Sequence, residues 1–387
     1  MNNNCISSKF IDVEMHLFIF FILVIQRILK QARQFKLIME FTVNVSSNAT
    51  KDEIPGWLFS LLGGYLSAAF FVGVFANGGS LYIFYKFSNL RTPASIFIIG
   101  LLCTDLAMCL FGIPLTASSN FARKWLWGYE LCVFHGFVVY ICGLSSMYIL
   151  AGMSLTRYVV VTSPLSERSV DYKLVVKCLC LCFLLGLFWT IIPFSSWTKY
   201  ELEATGTSCA VAYDSNDNTI LSYNIAIFIC CFLIPVIVII YSYYHIYMTI
   251  YYMRNKSICS TQSRQLQQKI QNERKLAKTI LIMIAAFLIS WIPYAIVAFW
   301  RAFGFGHLPA VATAFPAIFA KTSSVWNPFI YGSCNSQFRQ ALKEYLPCLK
   351  KTMELSSDTP GTPDLDVKYE LINKSNDLTT KTKTANN

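Results

Sequence analysis

The sequence predicts an all-α membrane protein in which seven transmembrane helices form one bundle and a short amphipathic helix follows them. Of the 387 residues, 55% are hydrophobic and only 14% are charged, whereas soluble domains carry about 25% charged residues. A helix needs about 20 apolar residues to cross a bilayer. Seven apolar segments meet this requirement, at residues 57–84, 94–118, 131–159, 174–197, 220–251, 276–301 and 309–332.

The distribution of basic residues predicts how these helices are oriented. Lys and Arg concentrate in the loops after the first, third and fifth segments, while the basic residues of the other loops are offset by acidic ones. By the positive-inside rule, we expect a multi-pass plasma-membrane protein with an extracellular N-terminus and a cytoplasmic C-terminus. Glycosylation sequons at Asn44 and Asn48 agree with this. Because the basic residues lie in short loops between apolar segments, the net charge of +11 does not indicate nucleic-acid binding, and the partner that we expect is the lipid membrane.

Composition divides the chain into four parts. The parts are an N-terminus at 1–56 (with a possible upstream extension at 1–38 and a glycosylated region at 44–50), the membrane domain at 57–332, the membrane-surface helix at 333–348, and a disordered tail at 349–387.

The cysteines suggest one modification site and no metal site. Cys348 lies at the end of the predicted amphipathic helix and is a palmitoylation candidate, with a free thiol as the alternative. No Cys/His cluster has the spacing of a metal site, so we expect no metal.

The last apolar segment contains a lysine near its middle, Lys321. A charged lysine at bilayer depth costs about 2.5 kcal/mol or more. Removal from water favours its neutral amine, which is a nucleophile toward aldehydes. One alternative is that the side chain extends to the helix end or pairs with a buried carboxylate. Six residues later comes Asn327-Pro328, with Tyr331 completing an Asn-Pro-x-x-Tyr motif.

This lysine spacing, together with the string Trp291-Ile292-Pro293-Tyr294-Ala295, resembles the opsins, a family of retinal-binding, rhodopsin-like G-protein-coupled receptors. The resemblance covers about residues 57–348. It implies that 11-cis-retinal is bound covalently to Lys321 as a Schiff base. It also implies that a set of side chains lines the retinal pocket, namely Gly143, His135, Phe287, Trp291, Tyr294, Ala295 and Ala317.

A buried, protonated Schiff base requires a nearby anion. Vertebrate visual opsins place a Glu three residues after the cysteine of helix three, where this chain has His135. The other family counterion lies six residues before the second-loop cysteine, a position that Glu203 occupies here. We expect Glu203 to be the counterion, with a solvated loop acid as the alternative, and we expect a photoreversible pigment. The resemblance also implies a Cys132–Cys209 disulfide, two free thiols being the alternative.

The resemblance further implies an activation switch. Thr156 stands where the family has an acidic residue, so the local ion pair of Arg157 is missing and an Arg157–Glu273 pair is left to close the inner face. The predicted switch residues are Asn77, Asp105, Thr156, Arg157, Tyr158, Tyr243, Glu273, Asn327, Pro328 and Tyr331.

The function expected from this resemblance is a light-activated receptor in phototransduction, not an enzyme. Asn335, Ser336 and Gln337 resemble the motif that ciliary-type opsins present to a heterotrimeric G protein, with Ser336 in place of the usual Lys. The Ser- and Thr-rich tail suits a receptor kinase and an arrestin. Two alternatives stay open, a retinal photoisomerase of the opsin fold and a rhodopsin-like receptor for a diffusible ligand.

Overall fold

The computed structural model describes residues 54–162, 171–212, 217–258, 264–304 and 308–345, without the side chains of 253–258, 264–270 and 272–273. Eight long elements are helical in the described ranges. They are α1 (Gly56–Lys86), α2 (Pro93–Ala107 and Ile113–Ala122 on either side of a π-helical turn, Met108–Gly112), α3 (Gly128–Thr162), α4 (Tyr172–Ile191), α5 (Asn218–Ile227 and Ile234–Ile258 around a π-helical turn, Phe228–Leu233), α6 (Arg264–Ala302), α7 (Ala310–Lys321 and Trp326–Cys334 around a 3-10 turn, Thr322–Val325) and α8 (Ser336–Tyr345).

The predicted seven-helix architecture is confirmed, with a short helix after it. Within the described ranges, six helices are long and apolar enough to cross a membrane, α1 to α6. The seventh, α7, is divided by its 3-10 turn into two shorter pieces. Most of the helices extend past the apolar segments, and α6 begins at Arg264, well before the predicted residue 276. The exception is α4, which ends at Ile191 instead of the predicted residue 197, because Pro193 brings no N–H and lies in a 3-10 turn, Ile192–Phe194. Backbone hydrogen bonding in a helix does not require apolar side chains, so helices continue into polar residues where hydropathy ends.

Proline and serine explain the break in α7. Ser323 and Ser324 turn their hydroxyls back onto the carbonyls of Ala320 and Lys321, at 2.7 and 3.0 Å. Such side-chain bonds compete with helical ones. Because Pro328 has no N–H, the carbonyl four residues earlier loses its helical donor. That carbonyl belongs to Ser324, and it accepts a bond from the side chain of Asn77 in α1 at 3.0 Å.

The π-helical turn of α5 is stabilised in a similar way. Pro235 follows the turn Phe228–Leu233 closely and brings no N–H to it. The hydroxyl of Tyr148 in α3 donates to the Cys230 carbonyl inside the turn at 3.1 Å and lies 3.3 Å from the Cys231 thiol. A hydroxyl group of α3 therefore replaces the backbone N–H donor that Pro235 cannot supply to α5.

A two-stranded antiparallel hairpin, which the sequence did not predict, lies between α4 and α5. Strand β1 (Tyr200–Leu202) pairs with β2 (Cys209–Val211), with Leu202 opposite Cys209. The predicted Cys132–Cys209 disulfide is confirmed and joins β2 to α3. A Cβ at Gly136 would lie 2.5 Å from the Tyr200 ring, so only glycine lets β1 approach α3 this closely.

Candidate functional site

Lys321 ends the first half of α7 and is buried, with 3% of its surface exposed. Its Nζ lies 2.9 Å from Ser208 Oγ and 3.4 Å from Glu203 Oε2. The hairpin turn supplies both partners, because the Glu203 amide donates to the Ser208 carbonyl at 2.8 Å and so holds the two residues side by side. Gly206 makes the turn possible with a φ of +65°, which favours glycine.

The carboxylate of Glu203 is buried as well, with 7% of the residue exposed. Its Oε2 faces Lys321, while its Oε1 has no hydrogen-bond partner among the described residues. The pair borders a space of about 10 Å³, which Thr116, Asn120 and Ala317 also line. A space of this size holds about one water molecule. The geometry therefore gives Lys321 a buried anionic partner that retains one free acceptor.

A larger apolar cavity of about 360 Å³ lies between α3, α5 and α6. This volume falls within the range of small-molecule sites, about 300–1,000 Å³. Five of the seven predicted pocket residues line it, namely Gly143, Phe287, Trp291, Tyr294 and Ala295. The predicted pocket residue Ala317 lines the small space beside Lys321 instead.

Trp291 connects this cavity to the lysine. Its indole Nε1 donates to Ser323 Oγ at 3.0 Å, two residues after Lys321. The ring stacks on Phe287 at 5.5 Å between centroids and meets Tyr294 edge-on at 6.1 Å. A Cβ at Gly143 would lie 2.5 Å from the indole. The position of Trp291 therefore depends on contacts with α3, α6 and α7 together.

His135, predicted at the pocket, contacts the hairpin. It is fully buried, and its Nδ1 lies 3.1 Å from the Cys209 carbonyl oxygen. Its Nε2 lies 2.9 Å from the hydroxyl of Thr116 in α2.

A polar network runs from the 3-10 turn of α7 toward α1 and α2. The amide of Asn327 donates to Asp105 Oδ2 at 2.7 Å. Asn77 bonds to the Ser324 carbonyl at 3.0 Å, and the Cys109 thiol lies 3.5 Å from the Ser324 hydroxyl. The predicted switch residues Asn77, Asp105 and Asn327 thus meet around α7, directly after the turn that follows Lys321.

The other end of the bundle brings α3, α5 and α6 together. Val161, Ile246 and Ala277 form an apolar cluster there. Tyr243 donates to the Ala277 carbonyl at 3.0 Å. The Tyr158 ring packs against the rings of Tyr241 and His245 at 5.6 and 5.5 Å between centroids.

Arg157 is buried beside this cluster. Thr156 Oγ1 bonds back to the Gly152 carbonyl of its own helix at 2.8 Å. The side chain of Glu273 lies outside the described residues.

The residues predicted to contact a G protein begin α8. Asn335 accepts from the Phe338 amide at 3.0 Å and donates to the Tyr331 hydroxyl at 2.7 Å. It therefore caps α8 and ties it to α7. Ser336 and Gln337 are exposed. The predicted modification sites Asn44, Asn48 and Cys348 lie outside the described residues.

The sequence did not single out three side chains of the candidate site, Ser208, Thr116 and Ser323. Ser208 is a nearer partner of the lysine amine than Glu203 is. The signal was available for Ser208 alone, because it directly precedes the hairpin cysteine that fixes β2. Thr116 and Ser323 resemble ordinary helix-interior hydroxyls in the sequence, and only the packing of the helices gives them partners.

Comparison with known proteins identifies the family. Residues 76–331 match the family described as "7 transmembrane receptor (rhodopsin family)". The rhodopsin of Enteroctopus dofleini is 30% identical over 318 residues, which cover 80% of this chain and 70% of that protein. The melanopsin of Felis catus is 32% identical over 317 residues, covering 80% of this chain and 65% of that protein.

The fold agrees with these matches. The crystal structure of squid rhodopsin superposes with a TM-score of 0.73 at 29% identity, covering 81% of this chain and 94% of that one. These relatives are receptors, and their fold is that of a multi-pass membrane protein. The chain therefore belongs to the rhodopsin family of seven-transmembrane receptors and, within it, to the opsins.

Proposed function

We propose that this protein is a light-activated G-protein-coupled receptor that holds 11-cis-retinal covalently on Lys321. The observation that best supports the proposal is the buried pair of Lys321 and Glu203, 3.4 Å apart, in a bundle that also contains an aromatic-lined cavity of about 360 Å³. A purely structural lysine would also pair with a carboxylate. A purely structural role would not explain the apolar cavity, or why Trp291, which lines that cavity, donates a hydrogen bond to Ser323 in the turn that follows the lysine.

The chain's own residues would act as follows. Lys321 supplies the amine that attacks an aldehyde, a role for which the charged lysine of the ion pair must first give up its proton. Glu203 balances the positive charge at the nitrogen, and Ser208 offers that nitrogen a hydroxyl oxygen at 2.9 Å. The apolar side chains of the cavity exclude water. Retinal, when bound, supplies light absorption and a change of shape.

The signal would travel along bonds that the structure describes. Trp291 bonds to Ser323, the neighbouring Ser324 carbonyl bonds to Asn77, and Asn327 bonds to Asp105. A displacement of Trp291 would therefore strain the 3-10 turn of α7. The apolar cluster of α3, α5 and α6 at the Arg157 end would then separate, as in a two-state equilibrium biased by a ligand.

We place the receptor in the plasma membrane, with the hairpin end extracellular and the Arg157 end cytoplasmic. The opened end, with Ser336 and Gln337 exposed beside it, would receive a heterotrimeric G protein. The tail at 349–387 would take phosphates from a receptor kinase and then bind an arrestin. We also propose that the sequons at 44–50 are glycosylated and that Cys348 carries a lipid. The proposed division of the chain is into residues 1–56, 57–332, 333–348 and 349–387.

Light-dependent nucleotide exchange on a purified G protein tests this function. Membranes holding the full chain and 11-cis-retinal are expected to accelerate exchange in light and not in darkness, and Lys321→Ala is expected to abolish the difference. A panel of G-protein classes is needed. A pigment that absorbs visible light but accelerates exchange on no member would contradict the receptor.

One observation favours a second candidate, a retinal photoisomerase. Thr156 is uncharged and bonds to the Gly152 carbonyl of its own helix, whereas the opsins have an acidic residue before this arginine, and that difference would suit a protein with a relaxed signalling face. In that case illumination would release isomerised retinal catalytically, which chromatography of extracted retinoids measures. Stoichiometric isomerisation with retention of the retinoid supports the receptor instead.

A further inference from the structure

His135 joins three elements that surround the lysine. The imidazole belongs to α3, contacts the Thr116 hydroxyl of α2 at 2.9 Å, and contacts the Cys209 carbonyl of β2 at 3.1 Å. The Trp125 ring covers it edge-on, 5.5 Å away between centroids. A fully buried side chain with partners on both ring nitrogens has a fixed orientation.

The partners favour one tautomer. The Cys209 carbonyl oxygen only accepts hydrogen bonds and lies 3.1 Å from Nδ1, so Nδ1 carries the proton. The Gly112 carbonyl is a second backbone acceptor near the ring, and the Thr116 hydroxyl lies 3.4 Å from that carbonyl and 2.9 Å from Nε2. In the neutral ring with its proton on Nδ1, Nε2 accepts from the Thr116 hydroxyl. This arrangement satisfies both nitrogens without a charge and leaves Glu203 as the carboxylate next to Lys321.

The position of His135 matters because its partner Cys209 is also attached to α3 by a disulfide and directly follows Ser208, a partner of Lys321. Cys209 is covalently joined to Cys132, three residues before His135 on the same face of α3. A disulfide alone permits rotation about its single bonds, whereas a second attachment through the carbonyl of the same residue restricts that rotation. Ser208 directly precedes Cys209, and its carbonyl accepts from the Glu203 amide. The orientation of β2 therefore sets where both partners of the lysine lie.

We propose that His135 is a positioning residue, whose neutral imidazole holds the Cys209 carbonyl so that Ser208 and Glu203 stay within reach of Lys321. The consequence for the chromophore rests on the proposed function. The positioning of the hairpin does not, and it can be measured in the ligand-free receptor.

A matched pair of variants separates the two ring nitrogens. In His135→Asn the side-chain amide takes the place of Nδ1 and still donates to the Cys209 carbonyl, whereas in His135→Gln the amide reaches toward Thr116 and loses that carbonyl. Hydrogen exchange of the hairpin amides, residues 200–211, is measured in the ligand-free full chain. Since one hydrogen bond contributes about 0.5–1.5 kcal/mol, exchange in the Gln variant is expected to be about 2- to 12-fold faster. The Asn variant is expected to match the wild type.

The wavelength of the absorption band after addition of 11-cis-retinal is the second measurement. A purely structural role of His135 would leave this wavelength unchanged. When the anion lies farther from the positive nitrogen, the ground state is less stabilised and the visible band moves to longer wavelength. We expect this shift in His135→Gln and not in His135→Asn. Thr116→Val, which removes the hydroxyl partner of Nε2, is expected to shift the band in the same direction and serves as a second route if a histidine variant does not fold.

Two results would overturn the inference. One is equal exchange in all variants. The other is faster exchange in the Gln variant with an unmoved band in every folded variant, which would leave His135 a structural role only. A wild-type protein that forms no visible pigment would instead refute the proposed function, while the exchange comparison would still decide whether His135 positions the hairpin.

Discussion

The buried pair of Lys321 and Glu203 makes a quantitative prediction about the ligand-free receptor. At 3.4 Å and an effective dielectric of about 20, two unit charges attract by about 5 kcal/mol. Removing one partner of a buried pair costs about 3–5 kcal/mol, because the other charge is left uncompensated. We therefore expect Glu203→Gln and Lys321→Met each to destabilise the protein by about 3–5 kcal/mol, and the double variant to recover most of this loss.

A double-mutant cycle on detergent-solubilised protein measures the coupling. Thermal unfolding can be followed with a thiol-reactive fluorophore, since Cys109, Cys142 and Cys231 are buried free thiols that unfolding exposes. Independent sites add within about 0.3–0.5 kcal/mol, so a coupling of several kcal/mol is well resolved.

The chain offers a matched control at the surface. Lys199 and Glu201 lie 3.2 Å apart, but their side chains are 64% and 35% exposed. Exposed pairs of this kind contribute about 0–1 kcal/mol. If the cycle at Lys321 and Glu203 yields no more coupling than the cycle at Lys199 and Glu201, burial does not strengthen the pair and our reasoning about the site is wrong.

Three further predictions concern other parts of the chain. Gly143→Ala would drive a Cβ into Trp291 and cost about 1–3 kcal/mol of stability, measurable by the same unfolding assay. If the receptor proposal holds, Thr156→Glu should lower nucleotide exchange in darkness by pairing with Arg157, and Thr156→Gln should not. Hydrogen bonds from Thr219 lower the pKa of Asp217 below its usual 3.8, so its cap on α5 is present above pH 3.8 and is lost as the pH falls through the lowered pKa. The protection factors of the amides at the start of α5, which are exchange rates corrected for the intrinsic pH dependence of amide exchange, should fall over that range in the wild type and stay constant in Asp217→Ala.

The fold was predictable because hydropathy reports burial in lipid directly. The seven apolar segments match the seven helices, and the disulfide follows from the resemblance. The interruptions within helices were not predictable from hydropathy. Two of the three interruptions have a hydrogen-bond partner from another helix, Tyr148 of α3 at the π-helical turn of α5 and Asn77 of α1 at the 3-10 turn of α7.

The candidate site was partly predictable. The sequence indicated Lys321 and Glu203 by motif position, and the structure places them 3.4 Å apart. Ser208 could have been noted because it directly precedes Cys209, but the hydrogen bonds of His135 could not be predicted. They require the register of a hairpin with three-residue strands, which no alternating pattern in the sequence indicates. Hydropathy also does not show that Lys321 borders a small space while Trp291 lines a separate, larger apolar cavity.

An absorption spectrum tests directly whether Lys321 binds retinal covalently. The full chain is expressed, supplied with 11-cis-retinal, purified in darkness and measured before and after illumination, beside Lys321→Ala and Glu203→Gln. We predict a visible band in the wild type that light changes, no such band in Lys321→Ala, and a band displaced to the ultraviolet at neutral pH in Glu203→Gln. A wild type without a visible band, or a band that persists in Lys321→Ala, would contradict covalent retinal binding at this lysine.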